Sequence, residues 1–220
     1  MNQEDKFVKC KPRGRILWSV AFPFLLVACF DEKSYIAVPS TVSLSYTPET
    51  EVEPVKAPGT VAVVVNDLRA NQSKVGNTAG LVLASGKGVI TTSGNVAEVL
   101  KFAIVSELRD RGFTVGSGPA SVSIDVTQFD VEHVVQAISG VLEMSSGYNS
   151  AAEVLIHVEV TGVGKRRLYS RLVFGQHSSE NGSDQQTLDL AFEMAVQSLF
   201  ADPKFTSAIL SAESGQPSSH

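Results

Sequence analysis

The chain has 220 residues with 18 Lys and Arg against 23 Asp and Glu, which gives a formal net charge of −5. This acidic balance argues against a nucleic-acid-binding protein, because such proteins need an excess of positive charge to neutralise phosphates. The length is sufficient for one domain with a real hydrophobic core.

The N-terminus has the three parts of a secretory signal peptide. An apolar run over residues 16–28 follows five basic residues, Lys6, Lys9, Lys11, Arg13 and Arg15. The run is shorter than the roughly 20 residues that a transmembrane helix needs. A basic start, a short apolar core and small residues at the end are typical of a cleaved secretory signal. We therefore predict that residues 1–28 are a signal peptide that is removed.

The quartet Leu26-Val27-Ala28-Cys29 resembles a bacterial lipobox, in which Leu, a small or branched residue and Ala or Gly precede a Cys. The resemblance implies transfer of diacylglycerol to the Cys29 thiol, cleavage before Cys29 and acylation of the new amino group. The alternative is a buried cysteine at the end of an ordinary signal peptide. The position of Cys29 directly after a small-residue cleavage site favours lipidation. Since Cys10 is the only other cysteine, no disulfide is expected in the mature chain.

The residues after Cys29 bear on the membrane that holds the lipid. In enterobacteria an Asp directly after the lipidated Cys favours retention in the inner membrane. Phe30 occupies this position here, and Asp31 follows it. The sequence therefore predicts attachment to the outer membrane of a Gram-negative bacterium, on the periplasmic side, with Asp31 as a feature that some bacteria could read differently.

Residues 29–58 are predicted to be the lipidated N-terminus and a tether. Four prolines interrupt this segment, Pro39, Pro48, Pro54 and Pro58, and repeated proline favours extended chain. Residues 41–46 alternate polar and apolar side chains, so we expect an edge strand that docks on the domain. Residues 59–212 are predicted to form a single globular domain and residues 213–220 a flexible tail.

The patterns within the domain predict strands followed by helices in the order of an α+β fold. Asn95 is a predicted helix cap, Gly112 a helix stop and Ser183 the cap of a second helix. A change of phase at Phe129 suggests a bulge. Strands are predicted over residues 60–66, 89–92, 113–115, 121–130, 153–160 and 168–174, with Leu168, Leu172 and Phe174 buried in the last and a loop over residues 178–182. The fold class expected is a mixed, largely antiparallel sheet with two main helices on one face.

Several short segments resemble the YajG-like family of outer-membrane lipoproteins. They are residues 41–48, residues 61–65 with Asp67 and Arg69, Val75-Gly76, and residues 107–113, which fit the family phrase EL-x-x-RGF. The resemblance covers most of the mature chain and implies a lipid-anchored periplasmic domain. It implies no catalytic residues, because the motifs are mostly structural.

No catalytic, cofactor-binding or metal-binding residue is predicted. Residues 80–88 are rich in glycine but lack the spacing of a phosphate-binding loop. His157 shares one strand face with Glu153 and Glu159, which allows a metal site or a general base. A solvated sheet face is the favoured interpretation. Asp67 and Arg69 are predicted to pair and brace the turn after the first strand.

Two groups of residues are candidate partner contacts. Lys165, Arg166 and Arg167 form a basic hairpin tip, which could contact a partner or an anionic lipid or simply be solvated. The apolar segment with Ile138, Val141 and Leu142 could be an exposed contact surface, with a buried hairpin as the alternative.

The function predicted is therefore a non-catalytic accessory subunit of an envelope assembly, which binds a protein partner through a sheet edge or loops. One alternative is a carrier of lipid or of another small ligand, with an apolar groove lined by Val96, Leu100, Leu188 and Phe192. A third is a periplasmic hydrolase, which would require a polar cleft joining His133 or His157 to a nucleophile.

Overall fold

The computed structural model describes residues 40–48, 52–79, 87–137, 146–180 and 182–214. All of these residues fall in one compact unit. The predicted lipidation site Cys29 and the predicted contact residues Ile138, Val141 and Leu142 lie outside the described residues.

The described residues contain eight strands, three α-helices and one short 3₁₀ helix. In chain order they are β1 (Ser40–Val42), β2 (Thr60–Asp67), β3 (Lys74–Ala79), β4 (Lys87–Thr92), α1 (Val96–Asp110), β5 (Thr114–Val115), β6 (Ala120–Ala137), β7 (Ser146–Thr161), the 3₁₀ helix (Val163–Lys165), β8 (Arg167–Glu180), α2 (Asp184–Phe200) and α3 (Pro203–Ser214).

The long strand β6 organises the sheet, because it has neighbours along both of its sides. The antiparallel strand β7 pairs with its whole length, and β8 pairs antiparallel with β7. On the other side, β2 runs parallel to the first half of β6 and β3 runs parallel to the second half. β5 extends the β2 end, and β4 and then β1 extend the β3 end. β8 is therefore the outer strand on one side of the sheet. On the other side, β5 is the outer strand beside β2, and β1 is the outer strand beyond β3 and β4.

The predicted fold class is confirmed. Helix α1 packs on β2 and β5, while α2 and α3 pack on β6, β7 and β8. The strand residues that meet the helices are fully buried, as Val122, Ile124 and Val158 illustrate, so the helices share one face of the sheet. The 12-residue helix α3 is additional to the two main helices that the sequence predicts. None of the helices in the described ranges is long and apolar enough to cross a membrane.

The predicted helix caps and the predicted bulge are confirmed. The Asn95 side chain accepts from the backbone N–H groups of Ala97 and Glu98, and the Ser183 hydroxyl accepts from the N–H of Gln186. Such bonds satisfy donors that have no partner inside the helix. The register between β6 and β7 shifts between Val126 and Gln128, and the buried positions then resume at Phe129.

Residues 43–48 follow β1 and contact the helices without forming a strand, so of the predicted edge strand over residues 41–46 only Thr41 and Val42 lie in a strand. The Ser45 backbone N–H and hydroxyl donate to the two carboxylate oxygens of Asp189 on α2, at 3.1 and 2.9 Å. The Tyr46 hydroxyl donates to Oε1 of the buried Glu107 on α1 at 2.5 Å, and Glu107 also pairs with Arg111. Burial and then the bond to Glu107 raise the pKa of Tyr46. These contacts join the segment to both helices.

The predicted pairing of Asp67 with Arg69 is confirmed. The two side chains form a buried, two-pronged ion pair with N–O distances of 2.8 and 2.6 Å. The Arg69 guanidinium also donates to the backbone carbonyls of Gln72, Lys74 and Phe129. It therefore ties the turn after β2 to the start of β3 and to the middle of β6.

Candidate functional site

Strand β8 forms one edge of the sheet. Among the described residues, it pairs with β7 along one side and with no strand along the other. An edge strand presents unpaired backbone N–H and C=O groups that can bind another extended chain. β8 is 14 residues long and contains no proline, so it lacks one common means by which proteins block such pairing.

The buried face of β8 is the opposite of the one that the sequence indicated. Tyr169 and Val173 point into the core, whereas Leu172 is 60% exposed and Phe174 is 47% exposed. The prediction that Leu172 and Phe174 are buried is therefore wrong. A register shift between Val160 and Thr161 sets which side chains of β8 face the core. With this register, Tyr169 lies opposite the buried Val160. β8 also continues to Glu180, so part of the predicted loop over residues 178–182 is strand.

Leu172 and Phe174 belong to the sheet face that carries no helix. On β7, His157 lies opposite Leu172 and Leu155 lies opposite Phe174. Val64 on β2 lies farther away on the same face and is 48% exposed. No helix or strand of the described ranges packs on these side chains. Apolar groups of this size next to a free sheet edge are typical of an interaction surface.

Polar side chains on the same face bring a histidine between a serine and an aspartate. The Ser170 hydroxyl lies 2.9 Å from Nε2 of His157, and Nδ1 of His157 lies 3.9 Å from Oδ2 of Asp125. A serine hydrolase needs a hydrogen bond between its aspartate and histidine, and 3.9 Å is too long for one. Neither Asp125 nor His157 lines the described groove. The placement of His157 on a solvated sheet face, as predicted, is confirmed.

The other candidate histidine, His133, lies in a mostly buried cluster. Its Nδ1 lies 2.8 Å from Oδ1 of Asp184 and 3.1 Å from the hydroxyl of the buried Ser150, which itself donates to Asp184 at 2.7 Å. Both contacts use the same ring nitrogen, which is unlike the arrangement in a catalytic triad. The cluster joins β6 and β7 to the first turn of α2. In the described part of the chain, no group of three or more His, Cys, Asp or Glu side chains could hold a metal ion.

The basic hairpin tip between β7 and β8 is exposed. Lys165, Arg166 and Arg167 are all exposed at this tip, and Lys165 has a φ of +59°. Arg167 lies 3.8 Å from Glu159, which is a weak exposed ion pair. The structure thus places the three predicted contact residues together, beside the beginning of the β8 edge.

An open groove of about 910 Å³ lies between the first half of β8 and α3. Its lining includes the strand residues Tyr169, Ser170 and Arg171 and the helix residues Lys204, Ser207 and Ser211. It also includes Asp202, which ends the connection between α2 and α3. No local sequence pattern predicts this groove, because it forms where an edge strand meets a helix that is distant in the chain.

Asp202 anchors the polar side of the groove. Its carboxylate accepts from Arg171 at 2.7 Å, from the Tyr169 hydroxyl at 3.0 Å and from the backbone N–H of Lys204 at 3.0 Å. Burial alone would raise the pKa of Asp202, but these three hydrogen bonds outweigh it and lower the pKa. Burial and the bond to Asp202 raise the pKa of Tyr169 to about 12. At neutral pH the groove therefore holds an ionised Asp202 beside a neutral Tyr169 and a charged Arg171.

The residues proposed to line a carrier groove lie instead in the packed core. Val96, Leu100, Leu188 and Phe192 are each at most 1% exposed. The Phe192 ring contacts Tyr46 and Phe129, with ring centroids 5.6 and 5.7 Å apart. The groove described above lies elsewhere, and its lining combines charged and polar groups with Leu168, Pro203 and Ala208. These four core side chains therefore leave no open groove between the described parts of α1, α2 and the sheet.

Comparison with known proteins gives distant likenesses to solved structures. No protein-family model and no curated protein sequence matches the chain. The chain is similar in structure to a Xanthomonas campestris protein assigned to the family DUF330, with 17% identity, a TM-score of 0.48 and coverage of 82% of this chain and 97% of that chain. A neuraminyllactose-binding hemagglutinin homolog from Helicobacter pylori gives 8% identity, a TM-score of 0.41 and coverage of 80% and 100%.

A third likeness is to a minor lipoprotein from Acinetobacter baumannii, with 9% identity, a TM-score of 0.25 and coverage of 72% of this chain and 96% of that chain. Because all three TM-scores lie below 0.5 and the identities are at most 17%, these likenesses carry no argument about the family or the activity of this chain.

Proposed function

We propose that the protein is a non-catalytic accessory lipoprotein, held on the periplasmic side of a bacterial outer membrane by lipid on Cys29. In this proposal it binds a protein partner of an envelope assembly through the edge of β8 and the exposed side chains beside it. The lipobox-like quartet ending in Cys29 and the resemblance to the YajG-like lipoproteins support the anchor.

The observation that carries the binding role is the combination of a free sheet edge with exposed apolar side chains on the same strand. Leu172 and Phe174 are 60% and 47% exposed and lie two residues apart beside the unpaired edge, so one added strand could cover both. The polar constellations near the sheet support binding more than catalysis. His157 lacks a hydrogen bond to Asp125, and a single ring nitrogen of His133 contacts both Ser150 and Asp184.

The proposal is tested by site-specific photocrosslinking in intact cells. Phe174 lies on the sheet face that carries no helix, called the open face below, and is 47% exposed. Phe102 lies on α1 and is 61% exposed. Each is replaced in turn by benzoylphenylalanine, which conserves the aromatic ring, and the cells are irradiated. We expect one discrete protein adduct from position 174 and none from position 102.

Phe102 is the matched control because it is an exposed phenylalanine on the helical side of the domain. Equal adduct patterns from the two positions would show nonspecific collision. No adduct from position 174, with the protein present at normal level, would contradict a partner on the open face.

A further inference from the structure

We infer that the partner segment is an extended peptide with alternating acidic and apolar side chains, which pairs with β8 as an additional strand. This inference rests on the proposed binding role of the same edge. It follows from the two different environments that the two sides of β8 present to such a strand.

A strand added along β8 has side chains that alternate between the two faces of the sheet. On the open face they lie beside Leu172 and Phe174. On the helical face they lie over the groove that contains Arg171 and Lys204. Backbone hydrogen bonds to the edge would supply affinity, and the alternate side chains would supply specificity.

The groove side favours carboxylates. Arg171 is 53% exposed even though it pairs with Asp202, and Lys204 is exposed on α3. Lys165, Arg166 and Arg167 add positive charge where β8 begins. Asp202 pairs with Arg171 and Glu159 lies near Arg167, while Lys165 and Lys204 add positive charge on the same side of β8. Charge complementarity therefore selects an acidic segment.

The open-face side favours apolar groups. Leu172 and Phe174 are two residues apart on β8, so they line the same face at the spacing of alternate residues in a partner strand. Burial of these two side chains would remove exposed apolar surface from water. The two faces together predict a partner pattern in which Asp or Glu alternates with residues such as Val, Ile or Phe.

The location of the tether favours a protein partner over lipid headgroups. Through the pairing of β1 with β4, β4 with β3 and β3 with β6, Ser40 lies level with Val131 of β6. The basic hairpin tip comes directly after Thr161, which lies level with Ser121 of β6. The two positions are separated by roughly 33 Å along β6, at about 3.3 Å per residue, and lie at opposite edges of the sheet. The basic tip therefore lies at the corner diagonally opposite the point where the tether joins the domain.

The test uses the full-length lipidated protein in detergent micelles and two fluorescent synthetic peptides. One peptide alternates Glu with Val and the other alternates Lys with Val. We expect saturable binding of the Glu peptide, weakened by added salt, and no binding of the Lys peptide. A Glu peptide in which Pro replaces a central Val and the adjacent Glu should lose binding, because one of two adjacent N–H groups in a paired strand faces the neighbouring strand and Pro has none.

Matched charge variants locate the site. Arg171→Gln with Lys204→Gln should weaken binding of the Glu peptide about tenfold, as expected for the loss of two exposed charge contacts. Lys101→Gln with Arg109→Gln removes the same charge from exposed positions of α1 and should leave the affinity unchanged. The single variant Lys204→Gln, which leaves the Arg171–Asp202 pair in place, should give an intermediate loss.

Three results would overturn the inference: no binding of the Glu peptide, equal loss in both pairs of variants, or undiminished binding of the Pro peptide. Binding of phosphatidylglycerol vesicles that depends on Arg171 and Lys204, without binding of the Glu peptide, would instead show a lipid site. If the peptide fails while position 174 still gives its single adduct in cells, the binding role stands and only the identity of the segment is wrong.

Discussion

Replacing Gly175 with alanine should destabilise the protein by about 3 kcal/mol or more, because the site leaves no room for a side chain. Gly175 lies on the helical face of β8, where α2 approaches closely. A Cβ atom at this position would lie 2.1 Å from the carbonyl oxygen of Ala191 and 2.6 Å from the backbone nitrogen of Ala195. Both contacts are with helix backbone, so relief requires α2 to move away from the sheet.

Urea unfolding of the purified protein measures this effect. Gly94→Ala is the matched control, because a Cβ atom at Gly94 would meet nothing within 4 Å. We expect the unfolding midpoint to fall strongly for Gly175→Ala and to change little for Gly94→Ala. Equal midpoints for Gly175→Ala and the unmodified protein would show that α2 does not pack against β8 in this way.

Replacing Cys29 with serine should abolish acylation and membrane attachment. A serine hydroxyl cannot take the place of the thiol in lipid transfer, so the uncleaved precursor should accumulate. The effect should be nearly complete, since each buried methylene contributes about 0.8 kcal/mol and two or more acyl chains anchor a protein stably. Metabolic labelling with a radioactive fatty acid, followed by membrane fractionation, measures both consequences.

Cys10→Ser is the control for this experiment, because Cys10 lies in the predicted signal peptide and should be lost with it. We expect this variant to carry the label and to be found in the outer membrane. A Cys29→Ser protein that still carried label and reached the outer membrane would contradict the lipid anchor.

Local signals in the sequence were sufficient for much of the fold. Asn95 and Ser183 cap their helices as predicted, since capping depends on residues within one turn. The bulge before Phe129 could be inferred because it changes the phase of buried positions within a single strand. The same holds for Asp67 and Arg69, which are two residues apart in the chain.

The phase of β8 could not be obtained in this way. Both faces of the strand carry large apolar or aromatic residues, with Leu172 and Phe174 on one and Tyr169 and Val173 on the other. Periodicity then fits either choice, and the decision depends on the register with β7 and on the close approach of α2 at Gly175. The error concerns the very residues that form the candidate site.

The polar parts of the site depend on the same long-range pairing. Asp125, His157 and Ser170 come from three strands, and they meet because β6, β7 and β8 are in one register. Arg171 and Asp202 are separated by a whole helix in the chain, yet they form the ion pair in the groove. The sequence could identify Lys165, Arg166 and Arg167 as basic and exposed, but it could not show which strand edge and groove they adjoin.

The most direct test of the binding role is amide hydrogen exchange along β8. Exchange is measured on the lipidated protein in native outer membranes and on the same protein purified in detergent, with peptides from α1 as the internal reference. We expect the β8 amides that face away from β7 to exchange rapidly in the purified protein and to be protected in membranes, while α1 is the same in both. Identical exchange of β8 in the two preparations would contradict the proposal that a partner covers this edge.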